Sequence, residues 1–379
     1  MNDLKLSEFM YETIALGVTP TNQLPIASVC NVECIFCSNN MNPFPIHRIG
    51  FRPLEDVKKG IALLNQQAEE IRLGDSLPGR ISEGEALIHP DILTILPLIR
   101  KKAPHSIIQI NTNGTVLTKE LVEKLKAFKP MKFTISYHSD NPEYWQRIFN
   151  RGLKHYKIAY ESFFHLSMNG FLIEGAMVPL PRLVGYADIQ NTIKTLKAWT
   201  KKILIYAPGY SNKVLPELRE ILDVDLCELS AFVTEMRKKY RMNLDLQTDL
   251  SSPLNFTPAP LMHRTFLAKY RNVLWLISEA AYEKAKRILE DWNPYFPNEH
   301  FAFMVKNNSY GGNIICSGLL MVSDFREAIR VAMSALGDTK IDLMLVPRTA
   351  FDCFGDDLAG QNFARLSEEF GIPVWLENC

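Results

Sequence analysis

Three closely spaced cysteines constrain this chain most: Cys30, Cys34 and Cys37 stand in the run SVCNVECIFCSNN with the spacing C-x3-C-x2-C. A [4Fe–4S] cluster is normally held by four thiolates, one on each iron. Three thiolates within eight residues therefore predict a cluster with one iron open to another ligand. The alternative is a zinc knuckle with His47 as the fourth ligand, but zinc sites usually pair two C-x2-C units. The spacing favours the cluster.

The composition is typical of a folded chain with one or two hydrophobic cores. The chain has 379 residues, of which 47% are hydrophobic and 22% are charged. Its 42 basic and 42 acidic side chains cancel, so no overall field attracts nucleic acid or an anionic membrane. We therefore do not expect nucleic acid as the substrate.

Other features of the sequence predict a cytoplasmic protein. The N-terminal run MNDLKLSEFMYETIALG carries acidic residues and lacks the apolar core of a signal peptide. No run of about eighteen apolar residues is present, so no membrane-spanning helix is expected. The seven cysteines are odd in number and have no framework spacing, which indicates a reducing compartment.

Short apolar strands alternate with helical patterns from residue 24 onward, which is typical of a parallel α/β sheet. A helix is predicted over residues 117–128, with Thr118 as its N-cap. The β/α units fit an open partial barrel as well as a doubly wound sheet. In β/α barrels the chemistry gathers at the carboxyl ends of the strands, and the cysteine run begins where the first predicted strand ends. The predicted strands are 24–29, 70–74, 106–112, 132–138, 171–178 and 202–207.

With Phe36 just before the third cysteine, the run resembles the C-x3-C-x-aromatic-C motif of the radical S-adenosylmethionine (radical SAM) superfamily. The resemblance favours an α/β fold with a partial (β/α)6 TIM-like barrel. It also implies that the three cysteines bind a [4Fe–4S] cluster, whose open iron chelates S-adenosyl-L-methionine (SAM). Reductive cleavage of SAM would give methionine and a 5′-deoxyadenosyl radical, which abstracts hydrogen from an unidentified substrate.

The segment ISEGEALIHPD, residues 81–91, resembles the Gly-Gly-Glu-Pro segment with which this family contacts the amino group of SAM. Gly84 and Glu85 match that pattern, whereas Glu83 and Ala86 depart from it. The ammonium acceptor is therefore Glu83 or Glu85, and its position favours Glu85. An exposed acidic loop is the alternative interpretation.

Four further residues stand at strand ends where the family places SAM contacts. As alternatives, Asn-Gly is a common tight turn and buried aromatic packing would explain a tyrosine. The four residues are Asn113 in the turn Thr112-Asn113-Gly114, Ser136, Met177 in the adenine region 173–178, and Tyr206.

The resemblance further implies a reductant such as flavodoxin or ferredoxin and a small-molecule or peptide substrate. The alternative hypothesis is a non-catalytic iron–sulfur or zinc-binding protein on the same barrel. The departures at Glu83 and Ala86 favour this alternative, whereas the intact cysteine run with Phe36 favours the enzyme.

The sequence predicts four parts: an N-terminal extension (1–23), the barrel (24–210), a helical connector and linker (211–257), and a smaller C-terminal α/β domain (258–379). The last part resembles an uncharacterised domain found behind radical-enzyme-like barrels in a group of iron–sulfur proteins. Its paired aspartates, Asp356 and Asp357, are candidates for binding an amine or a cation, with a helix N-cap as the alternative. The matching residues are Asn308, Tyr310, Gly311, Gly318, Leu319, Leu320, Pro347, Asp356 and Asp357.

The remaining cysteines, Cys227, Cys316, Cys353 and Cys379, are widely spaced. Auxiliary clusters usually come with close cysteine spacings, so the pattern favours separate thiols, with Cys316 in a core. A thiol can quench a carbon radical by giving up hydrogen, which makes Cys353 a candidate hydrogen donor.

Overall fold

The computed structural model describes residues 14–15, 18–19, 21–43, 50–75, 82–248, 266–292, 299–352 and 354–377. His47, Cys353 and Cys379 lie outside the described residues. The chain forms two compact units. The first comprises 1–40, 46–208 and 215–247, and the second comprises 41–45, 209–214 and 248–379. The four-part division expected from the sequence stays a prediction.

The first unit is built on a six-stranded parallel sheet whose strands lie side by side in sequence order. Parallel neighbours require crossover connections, and helices fill each of these connections. The predicted partial (β/α)6 TIM-like fold is confirmed. The strands are β1 (Glu70–Leu73), β2 (Ile107–Thr112), β3 (Met131–Ser136), β4 (Leu172–Met177), β5 (Lys202–Tyr206) and β6 (Asn243–Gln247).

The helices of this part include the predicted one after β2, which begins where expected. The hydroxyl of Thr118 accepts a hydrogen bond from the Leu121 N–H at 3.3 Å and caps that helix. The helices are α1 (Ser38–Met41), α2 (Leu54–Leu63), α3 (Ile92–Lys102), α4 (Lys119–Leu125), α5 (Pro142–Phe149), α6 (Leu153–Met168), α7 (Pro181–Leu196, kinked at Gly185), α8 (Pro216–Leu222) and α9 (Leu226–Tyr240).

The prediction of the first strand was wrong, because residues 24–29 do not join the ladder of the sheet. Leu24 N–H donates to the Arg72 carbonyl in β1 at 2.9 Å, after which the segment leaves β1. Residues 24–27 are buried, so the apolar pattern of the segment reflects burial rather than pairing with a neighbouring strand. The sixth strand is instead β6, which follows the long helix α9 in the chain and alternates polar and apolar residues.

The second unit contains a four-stranded parallel sheet in the order β10-β9-β7-β8. Its core packs Leu274, Phe325, Ile329 and Met344 between the sheet and a helix. This is the smaller α/β domain that was predicted. The elements are β7 (Asn272–Ser278), α10 (Tyr282–Trp292), β8 (Glu299–Val305), α11 (Val322–Leu336), β9 (Leu343–Pro347), α12 (Ala364–Phe370) and β10 (Val374–Glu377).

The paired aspartates of this unit have different surroundings. Asp357 is 0% exposed, and its carboxylate accepts backbone hydrogen bonds from Val322 at the start of α11, from Ala359 and from Gln361, each at 2.8–2.9 Å. Asp356 is half-buried and accepts from the Asn362 amide at 2.8 Å. Asp357 therefore fits the capping alternative rather than an open ligand site.

The two described cysteines outside the motif are both reduced thiols. Cys316 is buried in a small apolar cluster with Tyr310, Ile314 and Met321, as its position in an apolar run predicted. Cys227 is exposed near the start of α9. Among the described helices, none is long and apolar enough to cross a bilayer.

Candidate active site

The cysteine run and the carboxyl ends of the strands open on one cavity of about 590 Å³. Ligand pockets in proteins commonly measure about 300–1,000 Å³, so the cavity has the size of a small-molecule site. Ten residues singled out from the sequence line it: Cys30, Cys34, Phe36, Cys37, Glu83, Gly84, Glu85, Asn113, Ser136 and Tyr206.

Met177 is the exception among these candidate residues. It is 0% exposed, whereas its neighbours Ala176 and Val178 line the cavity. Successive side chains of a strand point to opposite faces, so Met177 faces the surrounding helices and not the cavity. The adenine region 173–178 therefore offers Ala176 and Val178 to a ligand.

Backbone hydrogen bonds hold the cysteine run against the end of helix α5. The N–H groups of Glu33 and Ile35 donate to the carbonyls of Phe149 and Ile148, each at 3.0 Å. The last carbonyls of a helix lack intrahelical partners, and here the cysteine run supplies partners for two of them. Arg151 adds a side-chain hydrogen bond to a backbone carbonyl of the run. The cysteines are thus fixed by the connection that follows β3.

Gly84 lets the acidic segment pass beside the first cysteine. Gly84 N–H donates to the Ala27 carbonyl at 2.7 Å, and Glu85 N–H donates to the Val29 carbonyl at 2.9 Å. A Cβ at Gly84 would overlap the Val29 carbonyl and lie 3.0 Å from the Cys30 nitrogen. Only glycine allows this close backbone approach.

Glu85 joins the acidic segment to the end of β2. One carboxylate oxygen accepts from the Leu87 N–H at 3.2 Å, and the other accepts from the Asn113 N–H at 2.7 Å. The side chain is 2% exposed. Burial raises its pKa to about 7, against the hydrogen bonds from Asn113, Thr112 and Leu87, which favour the ionised form.

Burial also disfavours charge on the neighbouring acid groups. It raises the pKa of Glu83 well above its ordinary value, although nearby backbone N–H groups and the Arg52 guanidinium act in the opposite direction. It raises the pKa of the Cys30 and Cys34 thiols, with the charges of neighbouring acidic groups adding to the effect. A bound metal centre supplies the positive charge that makes thiolates stable in such a place.

The arrangement of these thiols bears on the choice between zinc and an iron–sulfur cluster. In the described part of the chain, no three His, Cys, Asp or Glu side chains are arranged to hold a single metal ion. A structural zinc site needs ligands that converge on one ion, whereas a [4Fe–4S] cluster takes each cysteine on a different iron. The three thiols line one cavity, as a cluster that takes each cysteine on a different iron requires.

The side chain of Asn113 is enclosed by its neighbours at the cavity wall. Its carbonyl oxygen accepts from the Thr115 N–H at 3.0 Å and from the Thr115 hydroxyl at 2.5 Å. Its amide nitrogen donates to the Asn31 side-chain oxygen at 2.9 Å and lies 3.8 Å from the Cys30 sulfur. The turn after β2 is thereby bonded to the cysteine run.

His138 is a cavity residue that the sequence interpretation did not single out. Its Nδ1 accepts from the Val178 N–H at 2.9 Å, so the proton of the neutral ring is on Nε2. The ring lies between Phe36 and Phe149, with centroid distances of 4.6 and 4.9 Å. Burial lowers its pKa to about 3 and keeps it neutral. The sequence signal for His138 was its position two residues after Ser136, because side chains two residues apart in an extended segment lie on the same face.

Toward the amino ends of the strands, the inner face of the sheet carries charges of alternating sign. Lys132 pairs with Glu70 and lies 4.0 Å from Glu174, while Lys202 lies 4.0 Å from Glu174 and 3.7 Å from Asp245. Their side chains are 18–40% exposed. A closed barrel fills this space with apolar side chains, whereas the open barrel leaves it polar and accessible to water.

Comparisons with known proteins match part of the chain to one family. Residues 24–196 match the family described as Radical SAM superfamily. The FeMo cofactor biosynthesis protein NifB from Methanocaldococcus infernus is 25% identical over 223 residues, which span 53% of this chain and 72% of NifB. The GTP 3′,8-cyclase from Aquifex aeolicus is 27% identical over 162 residues, spanning 40% of this chain and 48% of the cyclase.

Among solved structures, Streptococcus suis SuiB is similar, with a TM-score of 0.46 and 13% identity over 76% of this chain and 58% of SuiB. The chain thus spans less than two thirds of the cyclase and of SuiB.

Proposed function

We propose that this chain is a radical SAM enzyme whose substrate is not identified, because residues 24–196 match the Radical SAM superfamily. The cofactors of the family are a [4Fe–4S] cluster and SAM. We assign the cluster to Cys30, Cys34 and Cys37. When bound, the two cofactors supply a reductive cleavage of SAM that ends in abstraction of hydrogen from the substrate.

One observation carries this proposal: separate segments of the chain bring the three thiols, the Gly84–Glu85 segment and the Asn113 turn to one cavity wall. The thiols lie on the run after residue 29, the acidic segment follows β1, and the turn follows β2. This is the edge of the sheet where β/α barrels gather their reactive groups.

The carboxylates of the cavity are the proposed acceptors for the ammonium of SAM. Glu85 already accepts backbone hydrogen bonds on both oxygens and a side-chain hydrogen bond from Thr112, which leaves one of about four carboxylate lone pairs for the ligand. Glu83 lines the same cavity and stays the second candidate. Ser136, Tyr206 and the Nε2–H of His138 are the further polar groups offered to SAM or substrate.

The aromatic wall keeps water from the reacting groups. Phe36 and Phe149 line the cavity on either side of the His138 ring, and all three rings are held by mutual contact. Water exclusion strengthens electrostatic interactions and protects reactive species.

Radical SAM chemistry requires a reductant and a substrate. We propose flavodoxin or ferredoxin as the reductant and a small molecule or a peptide as the substrate. We also propose a cytoplasmic location, because the described cysteines are all reduced, as in a reducing compartment. The role of Cys353 as hydrogen donor stays a prediction.

Anaerobic reconstitution with iron and sulfide tests the proposed ligands. We expect about four irons per wild-type chain, with the visible absorption of an iron–sulfur cluster. The variant Cys30→Ala/Cys34→Ala/Cys37→Ala should lose both. Cys227→Ala removes an exposed thiol outside the cavity and is the matched control, which should load like the wild type. Full iron and sulfide content in the triple variant would overturn the assignment.

A further inference from the structure

The hydrogen bonds of Asn113 determine which way its side-chain amide points. The Thr115 backbone N–H is a donor and lies 3.0 Å from one amide atom, which must therefore be the oxygen. The amide nitrogen of Asn113 then faces the side-chain oxygen of Asn31 and the sulfur of Cys30. The orientation is fixed by the chain itself and needs no ligand.

These contacts use the full hydrogen-bonding capacity of the side chain. The amide oxygen has two lone pairs, which take the N–H and the hydroxyl of Thr115. The amide nitrogen has two protons, one for Asn31 and one directed to the Cys30 sulfur. The backbone N–H of Asn113 is taken by Glu85. The residue has no free side-chain group for a ligand.

We propose that Asn113 is a positioning residue for the cluster, which donates an N–H···S hydrogen bond to the Cys30 thiolate instead of contacting SAM through its side chain. This inference rests on the proposed function, because it takes Cys30 as a cluster ligand. Hydrogen bonds to the sulfurs are among the factors that set the reduction potential of an iron–sulfur cluster.

The direction of the effect follows from charge. Reduction adds an electron to the cluster, and an N–H donor stabilises the more negative state. The Asn113 donor is 6% exposed, so the protein shields the donor side of this interaction from solvent. The hydrogen bond therefore raises the potential and makes reduction easier. Outer partners of metal ligands commonly tune a site in this way.

Thr115 makes it possible to separate an effect on the reduction potential of the cluster from a general loss of structure in this turn. Thr115 is 2% exposed, and its hydroxyl links the amides of Asn31 and Asn113. Thr115→Val removes these links but leaves the N–H groups of Asn113. It is therefore the matched control for variants of Asn113.

The test is an EPR-monitored redox titration of reconstituted protein without SAM, after iron and sulfide analysis. Asn113→Ala should shift the cluster midpoint to a more negative potential. Asn113→Asp keeps an oxygen toward Thr115 but places a carboxylate near Cys30, so its shift should be larger. Thr115→Val should leave the midpoint close to that of the wild type.

The outcomes separate the inference from the proposed function. A wild-type chain that loads no cluster rejects the proposed ligands. A loaded wild type with the same midpoint in Asn113→Ala rejects the N–H···S bond, as does an equal shift in Thr115→Val. Weakened SAM binding with an unchanged midpoint would show that Asn113 acts on SAM.

If the Asn113 variants load no cluster, the wild type itself decides. With asparagine labelled by nitrogen-15 in the side chain, ENDOR spectra of the reduced cluster should contain a nitrogen-15 coupling that Asn31→Ala does not abolish. Its absence would overturn the inference.

Discussion

The imidazole of His138 lies edge-on against the ring of Phe36, with the ring centroids 4.6 Å apart and an angle of 78° between the planes. Phe36, the aromatic residue of the cysteine motif, thus contacts His138, which lies two residues after the end of β3. Edge-to-face pairs contribute about 0.5–1.5 kcal/mol beyond burial of their area. The contact joins the cysteine run to the segment that follows β3, and both residues line the cavity.

The first prediction is an acid sensitivity that comes from His138. Burial lowers its pKa to about 3, below the ordinary value of 6.5. The folded state therefore disfavours the proton, so this stability is present above pH 6.5 and is lost as the pH falls from about 6.5 toward about 3. Over that range the wild type should lose up to about 1.4 kcal/mol per pH unit relative to His138→Gln, measured by urea denaturation.

His105 provides the control, because it is exposed on the surface. The variant His105→Gln should show the same pH dependence as the wild type. Parallel curves for the wild type and His138→Gln would contradict a buried neutral imidazole.

The second prediction concerns Gly84. Replacement by alanine forces a Cβ into the Val29 carbonyl, so the acidic segment must move away from Cys30. We expect Gly84→Ala to lower the free energy of unfolding by about 1–3 kcal/mol, the usual range for overpacking, and to reduce iron loading.

Gly152→Ala is the matched variant, since no atom lies within 4 Å of its added Cβ and its φ is −75°. Because Gly152 is the N-cap of α6, where alanine is less favourable than glycine, the variant should cost at most about 1 kcal/mol and load iron normally. Equal behaviour of the two alanine variants would argue against the steric role of Gly84.

The third prediction separates the paired aspartates of the second unit. Asp357→Ala removes the acceptor of three backbone N–H groups, of which that of Val322 is buried, so it should cost at least about 2 kcal/mol in urea denaturation. Asp356→Ala should cost less than about 1 kcal/mol, because Asp356 is only half-buried. Similar costs for both would contradict the capping role of Asp357.

Sequence patterns predicted the cavity well because strand ends and motif spacing are local properties of the chain. They located Glu85, Asn113 and Ser136 on one wall without any distance information. The prediction that Met177 lines the cavity was wrong, because a shift of one residue along a strand moves a side chain to the other face. They also placed the first strand at 24–29, because a buried extended segment has the same apolar pattern as a strand.

The hydrogen-bond partners of Asn113 could not be predicted from the sequence, for a different reason. Asn31 and Cys30 are 82 and 83 positions away from it in the chain, and only tertiary packing brings them within hydrogen-bonding distance. A motif indicates that an asparagine is needed there but not which atoms it contacts.

We propose that SAM is cleaved reductively in the cavity beside Cys30, Cys34 and Cys37. The most direct test is release of 5′-deoxyadenosine from SAM by the anaerobic, reconstituted protein with a strong reductant such as dithionite. The account predicts release by the wild type and by Cys227→Ala, and none by the triple cysteine-to-alanine variant. No release by a wild type with an intact, reducible cluster and bound SAM, or equal release by the triple variant, would contradict it.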